Sequence, residues 1–217
     1  MHRILCYGDS NTWGYIPLTE KRYPPEVRWT GRLQTLLGPD YQVLEDGLSG
    51  RTTIWDDALA EYHNGKKTLL PSLDSQSPVD VVVLLLGTND LKSRMHLNAM
   101  EVAMGAEQLI QMIQGFRTAE QVRPADVLLV CPPSIREAVD QTPSQWYFSA
   151  EHCVPVSRQL PEFFRDVAQR YGCAYVAADD ICEICTEDEI HFTVEGHARF
   201  AEGIAPLVRQ LCAARQP

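Results

Sequence analysis

The chain has no apolar stretch near the roughly 18 residues that span a bilayer. Its longest apolar run, residues 79–86, is broken by Asp80 and suits a buried strand. No Lys/Arg-rich block exists to follow a phosphate backbone, and the formal charge is −10, so neither nucleic acid nor a membrane is an expected partner. The first apolar run is too short for a signal peptide and is cut off by Gly8, Asp9 and Ser10, which makes the cytoplasm the expected location. No linker rich in Gly, Pro or Ser divides the chain and no internal repeat appears, so one domain over 1–217 is expected. A disulfide framework is also lacking. The seven cysteines (Cys6, Cys131, Cys153, Cys173, Cys182, Cys185 and Cys212) are odd in number and stand mostly in apolar segments, as buried reduced thiols do. Cys182 and Cys185 form a C-x-x-C, but no second ligand pair stands at zinc spacing, so a structural role is expected.

What the chain does have is apolar content, 45% of residues in 217, enough for a full α/β core. Short apolar runs at 3–7, 41–45, 79–86, 127–130 and 173–177 predict strands. The run at 79–86 is nearly all Val and Leu, as in a central strand covered on both faces. Helical spacing predicts helices through Val27, Trp29, Leu33, Leu36 and Leu37, closed by Gly38, then over 99–116, 160–171 and 194–211. Strands alternating with helices imply a parallel sheet sandwiched between helical layers. Residues 13–25, 54–77 and 134–156 read as long irregular excursions, which often carry function or subunit contacts.

In such sheets the ligand site lies beyond the carboxyl ends of the strands. Polar clusters stand there: Gly8-Asp9-Ser10-Asn11-Thr12, Asp46 to Arg51, Gly87-Thr88-Asn89-Asp90, and Asp188-Glu189-Ile190-His191. Together they supply an acyl-transfer site. Ser10 is a poor nucleophile until a base takes its proton, and His191 can be that base. Asp188, three residues earlier, can hold the imidazole tautomer, although Glu187 and Glu189 are neighbouring carboxylates. Donors for a tetrahedral oxyanion are the N–H groups of Ser10 and Gly50 and the Asn89 amide.

Gly8-Asp9-Ser10, Gly50, Gly87-Thr88-Asn89-Asp90 and Asp188-x-x-His191, in that order, resemble the blocks of the SGNH (GDSL-like) hydrolases. The strings at 4–14, 27–31, 47–53, 86–92 and 190–193 resemble its bacterial arylesterase/acetylesterase branch. Asn11 stands where the family name implies leucine. The resemblance implies a flavodoxin-like three-layer α/β/α fold on a five-stranded parallel sheet, with no metal or organic cofactor. It implies Ser10 as nucleophile, His191 as base, Asp188 as its acid, and an oxyanion hole of Ser10, Gly50 and Asn89. It also implies small acyl-ester substrates, some capacity for perhydrolysis, and a homo-oligomer, an octamer in which neighbouring loops narrow the pocket. Trp13, Trp55, Trp146, Tyr147 and Phe148 are candidates to wall that pocket.

The same machinery fits a carbohydrate acetylesterase or a thioesterase. A non-enzymatic flavodoxin-like nucleotide module stands further off, because the first loop has too few glycines and places an acid where phosphate would sit. Asp9 and Asp90 read as positioning residues with local hydrogen bonds, and Arg51 as the partner of one carboxylate or another. Asp56-Asp57 and Asp179-Asp180 read as solvated loop charges or caps. His197, six residues after His191, has no further support as a metal ligand.

Overall fold

The computed structural model describes residues 1–215. The chain opens with β1 (His2–Gly8) and a single helical turn, α1 (Ser10–Trp13). A short hairpin of β2 (Tyr15–Ile16) and β3 (Lys21–Arg22) follows, then α2 (Trp29–Leu37) and β4 (Tyr41–Gly47). The remainder runs α3 (Gly65–Gln76), β5 (Val81–Leu85), α4 (Ala99–Gly115), β6 (Asp126–Cys131), α5 (Ala150–Tyr171), β7 (Ala174–Ala177) and α6 (Val194–Ala213).

Five strands pair in parallel in the order β4-β1-β5-β6-β7. This is the flavodoxin-like winding, and its direction reverses between β1 and β5. The crevice opened by that reversal lies beyond Gly8 and Leu85. Every residue of β5 is buried, which explains its unbroken Val/Leu composition. Alternation along the strands divides the core in two. Leu5, Tyr7, Val82, Leu84 and Leu129 pack with α3, α4 and α5, while Ile4, Cys6, Val83, Leu85 and Val130 pack with α2 and α6. Helices therefore cover both faces, as the fold class predicts.

All three segments expected to be irregular contain regular structure: 13–25 holds the short β2–β3 hairpin, and the other two hold helices. Residues 65–76 form α3 with Pro71 inside it, and α5 begins at Ala150, ten residues before the predicted start. Prolines caused the misreading. Pro155 and Pro161 each remove a helix donor, yet Cys153, Val154, Ser157, Leu160, Phe164 and Val167 are buried at helical spacing. The buried stripe outweighs the lost hydrogen bonds. All seven cysteines are free, and Cys182 Sγ donates to the Ala178 carbonyl. Among the described residues no helix is long and apolar enough to cross a membrane.

Candidate active site

Ser10 is placed by a tight return of the chain at the end of β1. A Cβ on Gly8 would stand 2.1 Å from Thr12 Oγ1 and 2.7 Å from the Leu85 carbonyl, so the turn closes only over glycine. Asp9 caps that turn: its Oδ1 accepts from Asn11 N at 3.0 Å. Burial pushes the Asp9 carboxyl up to about 6, against the opposing effects of the Asn11 donor and the His191 charge.

His191 comes from the loop between β7 and α6. Glu189 takes a left-handed backbone (φ 59°), which folds 188–191 into a turn. Within it, Asp188 Oδ1 accepts from Ile190 N, His191 N and Cys185 Sγ, each at 3.0 Å. Its Oδ2 lies 2.6 Å from His191 Nδ1, and His191 Nε2 lies 2.8 Å from Ser10 Oγ. Glu189 points instead toward Arg136, 3.7 Å away, so the carboxylate on His191 is Asp188. Burial works to raise the Asp188 pKa, but the His191 bond and charge and the Cys185 thiol more than offset it and leave it at about 2.

Asn11, set aside at the sequence level, joins these two segments. Its Oδ1 accepts from Phe192 N at 2.9 Å, and its Nδ2 donates to the Ile190 carbonyl at 3.4 Å. One side chain thus fixes the backbone on both sides of His191 to the turn that carries Ser10. No local pattern announces such a bond across about 180 residues.

Gly50 and Asn89 approach from β4 and β5. Gly50 has φ 87°, and a Cβ there would meet His63 Nδ1 at 2.7 Å, so both conformation and space require glycine. The Gly50 and Ser10 N–H groups have no acceptor among the described residues. Asn89 Nδ2 gives one hydrogen to the Arg51 carbonyl at 3.1 Å, which orients the amide. Arg51 pairs with Asp46 Oδ1 at 2.8 Å, donates to the Gly8 carbonyl at 3.0 Å and lies over the Tyr7 ring. Asp90 bonds far from its own loop rather than locally: both oxygens accept from Thr53 N, and Oδ1 also takes the Thr53 hydroxyl at 2.5 Å. It ties the Gly50 loop to the end of β5.

Ser10, Gly50, Asn89, Asp188 and His191 share one cavity of about 640 Å³. Phe148 and Tyr147 line it, as does Tyr15, whose ring lies 4.5 Å from that of His191. Trp13 and Trp55 are not among the lining residues: Trp13 packs beside Tyr15 under Arg22, and Trp55 leans on the core. Trp146 is 80% exposed. The remaining wall holds His63, Lys92 and Arg94, which the sequence reading did not single out although Lys92 stands three residues after Asn89. Asp57 corrects an expectation, for it is buried and bonded to both Lys92 and Arg94 rather than solvated. Asp56 is exposed and pairs with Lys67 at 2.6 Å, and Asp179 caps the Ser134 turn. His197 is buried, with Nδ1 accepting from Trp29 N at 3.3 Å. Among the described residues no group of three or more His, Cys, Asp or Glu side chains could hold a metal.

A family model described as GDSL-like Lipase/Acylhydrolase matches residues 6–199. Among solved structures, a carbohydrate acetylesterase from Sinorhizobium meliloti is 34% identical, with 97% of this chain and 100% of that chain covered and a TM-score of 0.88. A carbohydrate acetylesterase family member from the same organism is 32% identical over 97% and 99% of the two chains, with a TM-score of 0.90. The native M. smegmatis aryl esterase is 31% identical over 97% and 100%, with a TM-score of 0.89. No curated protein matches the sequence significantly.

Proposed function

This chain belongs to the GDSL-like lipase/acylhydrolase family and is a carboxylic ester hydrolase, and on that premise we propose that Ser10, His191 and Asp188 are its reacting triad. The observation that carries this reading is the 2.8 Å approach of Ser10 Oγ to His191 Nε2. Asp188 accepts the Nδ1 hydrogen, which leaves the Nε2 lone pair facing Ser10. His191 takes the Ser10 proton as Oγ bonds the carbonyl carbon and the carbonyl π pair moves onto oxygen. That oxygen is met by the Ser10 and Gly50 N–H groups and the second amide hydrogen of Asn89; each such donor contributes about 3 kcal/mol. Collapse breaks the bond to the leaving oxygen, which receives the proton from His191. Water then repeats the sequence on the acyl-enzyme and releases the acid.

Ser10→Ala and His191→Ala are expected to lower kcat/KM on 4-nitrophenyl acetate by about 10⁴-fold or more with the circular dichroism spectrum unchanged. Activity within tenfold of the parent in either variant removes the triad assignment.

The proposed substrates are small acyl esters, acetates of aryl alcohols first. An aryl esterase and a carbohydrate acetylesterase are both similar to this chain along nearly its whole length, which supports that choice and keeps the carbohydrate acetate as second reading. Thioester hydrolysis and perhydrolysis use the same acyl-enzyme. A panel of acyl lengths and leaving groups separates ester from thioester hydrolysis, and peracid formation with hydrogen peroxide as acyl acceptor reads perhydrolysis. Residues 1–217 are taken as one domain, supported by both cores packing on one sheet. A cytoplasmic homo-oligomer is part of the proposal. Exposed Leu18 and Leu59 at the cavity rim, with exposed Tyr62 three residues after Leu59 and exposed Trp146 next to the lining residue Tyr147, support contact with further copies. Light scattering tests the oligomer, which a monomer contradicts, and cell fractionation tests the location.

A further inference from the structure

One wall of the reactive cavity carries more positive charge than its own carboxylate neutralises. Asp57 is fully buried, and two cations converge on it. Lys92 Nζ donates to Oδ2 at 3.0 Å, while Arg94 donates from Nε to Oδ1 at 2.8 Å and from Nη2 to Oδ2 at 2.6 Å. Leu59 N adds a fourth donor at 3.1 Å. Lys92 and Arg94 line the cavity that holds Ser10 and His191, and Asp57 does not. The carboxylate is therefore behind the wall and the cations are in front of it. One cation balances Asp57, and the charge of the second is held partly out of water, since Lys92 is 7% exposed and the Arg94 side chain 28%. Holding surplus charge out of water is costly unless an anion meets it. Nζ gives one of its three hydrogens to Asp57, and Arg94 Nη1 gives none to protein among the described residues.

The other charged groups facing this wall do not fill the role. Asp188 is held by His191. Asp90 favours the Lys92 charge from the protein side, but both its oxygens are taken by Thr53 and it does not line the cavity, so it cannot meet the donors that Lys92 and Arg94 turn toward Ser10. Burial and the Lys92 charge hold the His63 imidazole below its ordinary pKa, consistent with a neutral ring. Glu20 lines the cavity only as an exposed side chain at its mouth, where water screens it. Arg94 also stands 5.6 Å from the Tyr147 ring, which gives its guanidinium a second fixed neighbour.

We propose that Lys92 and Arg94 form a subsite for an anionic group of the ester, a carboxylate, phosphate or sulfate carried a few bonds from the scissile carbonyl. This deepens the esterase reading and rests on it. The chain as a whole bears a charge of −10, so its overall field does not favour anionic esters, and a preference for them has to come from a local site.

The experiment compares matched esters. 4-Nitrophenyl butyrate against 4-nitrophenyl hemisuccinate places the anion on the acyl side at closely matched acyl length, and phenyl acetate against 4-acetoxybenzoate places it on the leaving group. In at least one pair, kcat/KM for the anionic member is expected to exceed that for the neutral one, and the excess to shrink in 0.5 M salt. Arg94→Gln and Lys92→Met are each expected to lower the anionic-to-neutral ratio by about tenfold, the scale of one charge-assisted hydrogen bond. Each single substitution leaves Asp57 with one cation, so a buried unpaired carboxylate does not confound the result. Succinate binding, followed by NMR line shifts, reads the subsite without turnover and is expected to weaken in both variants. A chain that binds succinate through these residues but leaves 4-nitrophenyl acetate intact contradicts the esterase reading and not the subsite. Equal handling of charged and neutral esters by the parent, or ratios and succinate binding unchanged in both variants, overturns the subsite.

Discussion

Asn11 accepts from Phe192 N and donates to the Ile190 carbonyl, so His191 is held between two bonds to the residue that follows Ser10. Asn11→Leu keeps the side chain's bulk but orphans a buried Phe192 N–H, at a cost of about 1–3 kcal/mol. It also frees the imidazole to drift from Ser10, and misplacement on the ångström scale costs about 10²-fold in rate. A urea midpoint and kcat/KM on an acetate ester check both effects. An unchanged midpoint with full activity would show that the clamp holds nothing. The Cys185 thiol can be tested the same way. Burial pushes it up to about 12, helped by its hydrogen bond to Asp188, so it is a neutral donor to Oδ1. Cys185→Val is expected to lower kcat/KM severalfold, and Cys185→Ser, which keeps a donor, to recover most of it. Equal loss in both would assign the effect to packing. None of this was legible in the sequence, where Asn11 and Cys185 look like a turn residue and half of a redox-like pair. Ser10, Asp188 and His191 were legible because their residue types and their places after strands suffice to suggest them.

At the scale of elements, strands were easiest to read. β5 and β6 are short apolar runs bounded by polar or proline residues, and burial on both faces leaves such runs few alternatives. Helices with proline inside them were the failure. In α5 the buried stripe from Cys153 to Ala168 supplies what proline removes, but that stripe counts only once its partner surface is known. Pro155 is exposed on this helix and leaves the Glu151 carbonyl without its helical donor. Pro155→Ala restores that bond, although it also relaxes the unfolded chain, which offsets about 0.4–1 kcal/mol. The net expectation is a stabilisation of about 1–2 kcal/mol, or a Tm rise of roughly 2–6 °C at this chain length. Calorimetry decides it, and a lower Tm would mean that the proline fits a locally altered backbone better than a regular turn.

At the scale of the whole molecule, the winding brings together residues from 9 to 191 because the chain leaves the paired strands β1 and β5 toward opposite faces of the sheet at the switch point, and this much follows from strand order alone. Charge placement does not. A sequence shows Asp57 and His197 as polar residues, and only the packed chain shows that both are buried. His197 stands on α6 and faces the start of α2, with Nδ1 accepting from Trp29 N and its ring against Tyr23 and Phe192. Burial lowers its pKa from 6.5 to about 3, and the charges of His191, Arg32 and Arg28 act in the same direction. The folded chain therefore keeps this ring neutral where the unfolded chain protonates it. A depressed folded value means that its contribution is whole above about pH 6.5 and is lost as pH falls toward 3, at about 1.4 kcal/mol per pH unit. Asp9 and Asp90, both raised to about 6, act in the opposite sense between about pH 4 and 6, so the parent's own curve mixes these effects. Comparison with His197→Gln separates them, because the aspartates are common to both chains and the glutamine carbonyl can still accept from Trp29 N. The parent's stability relative to the variant, from urea unfolding at several pH values, is expected to decline steadily from pH 6.5 to pH 4. A difference that stays constant over that range would mean that His197 takes up its proton without unfolding, and that water reaches the layer between α2 and α6.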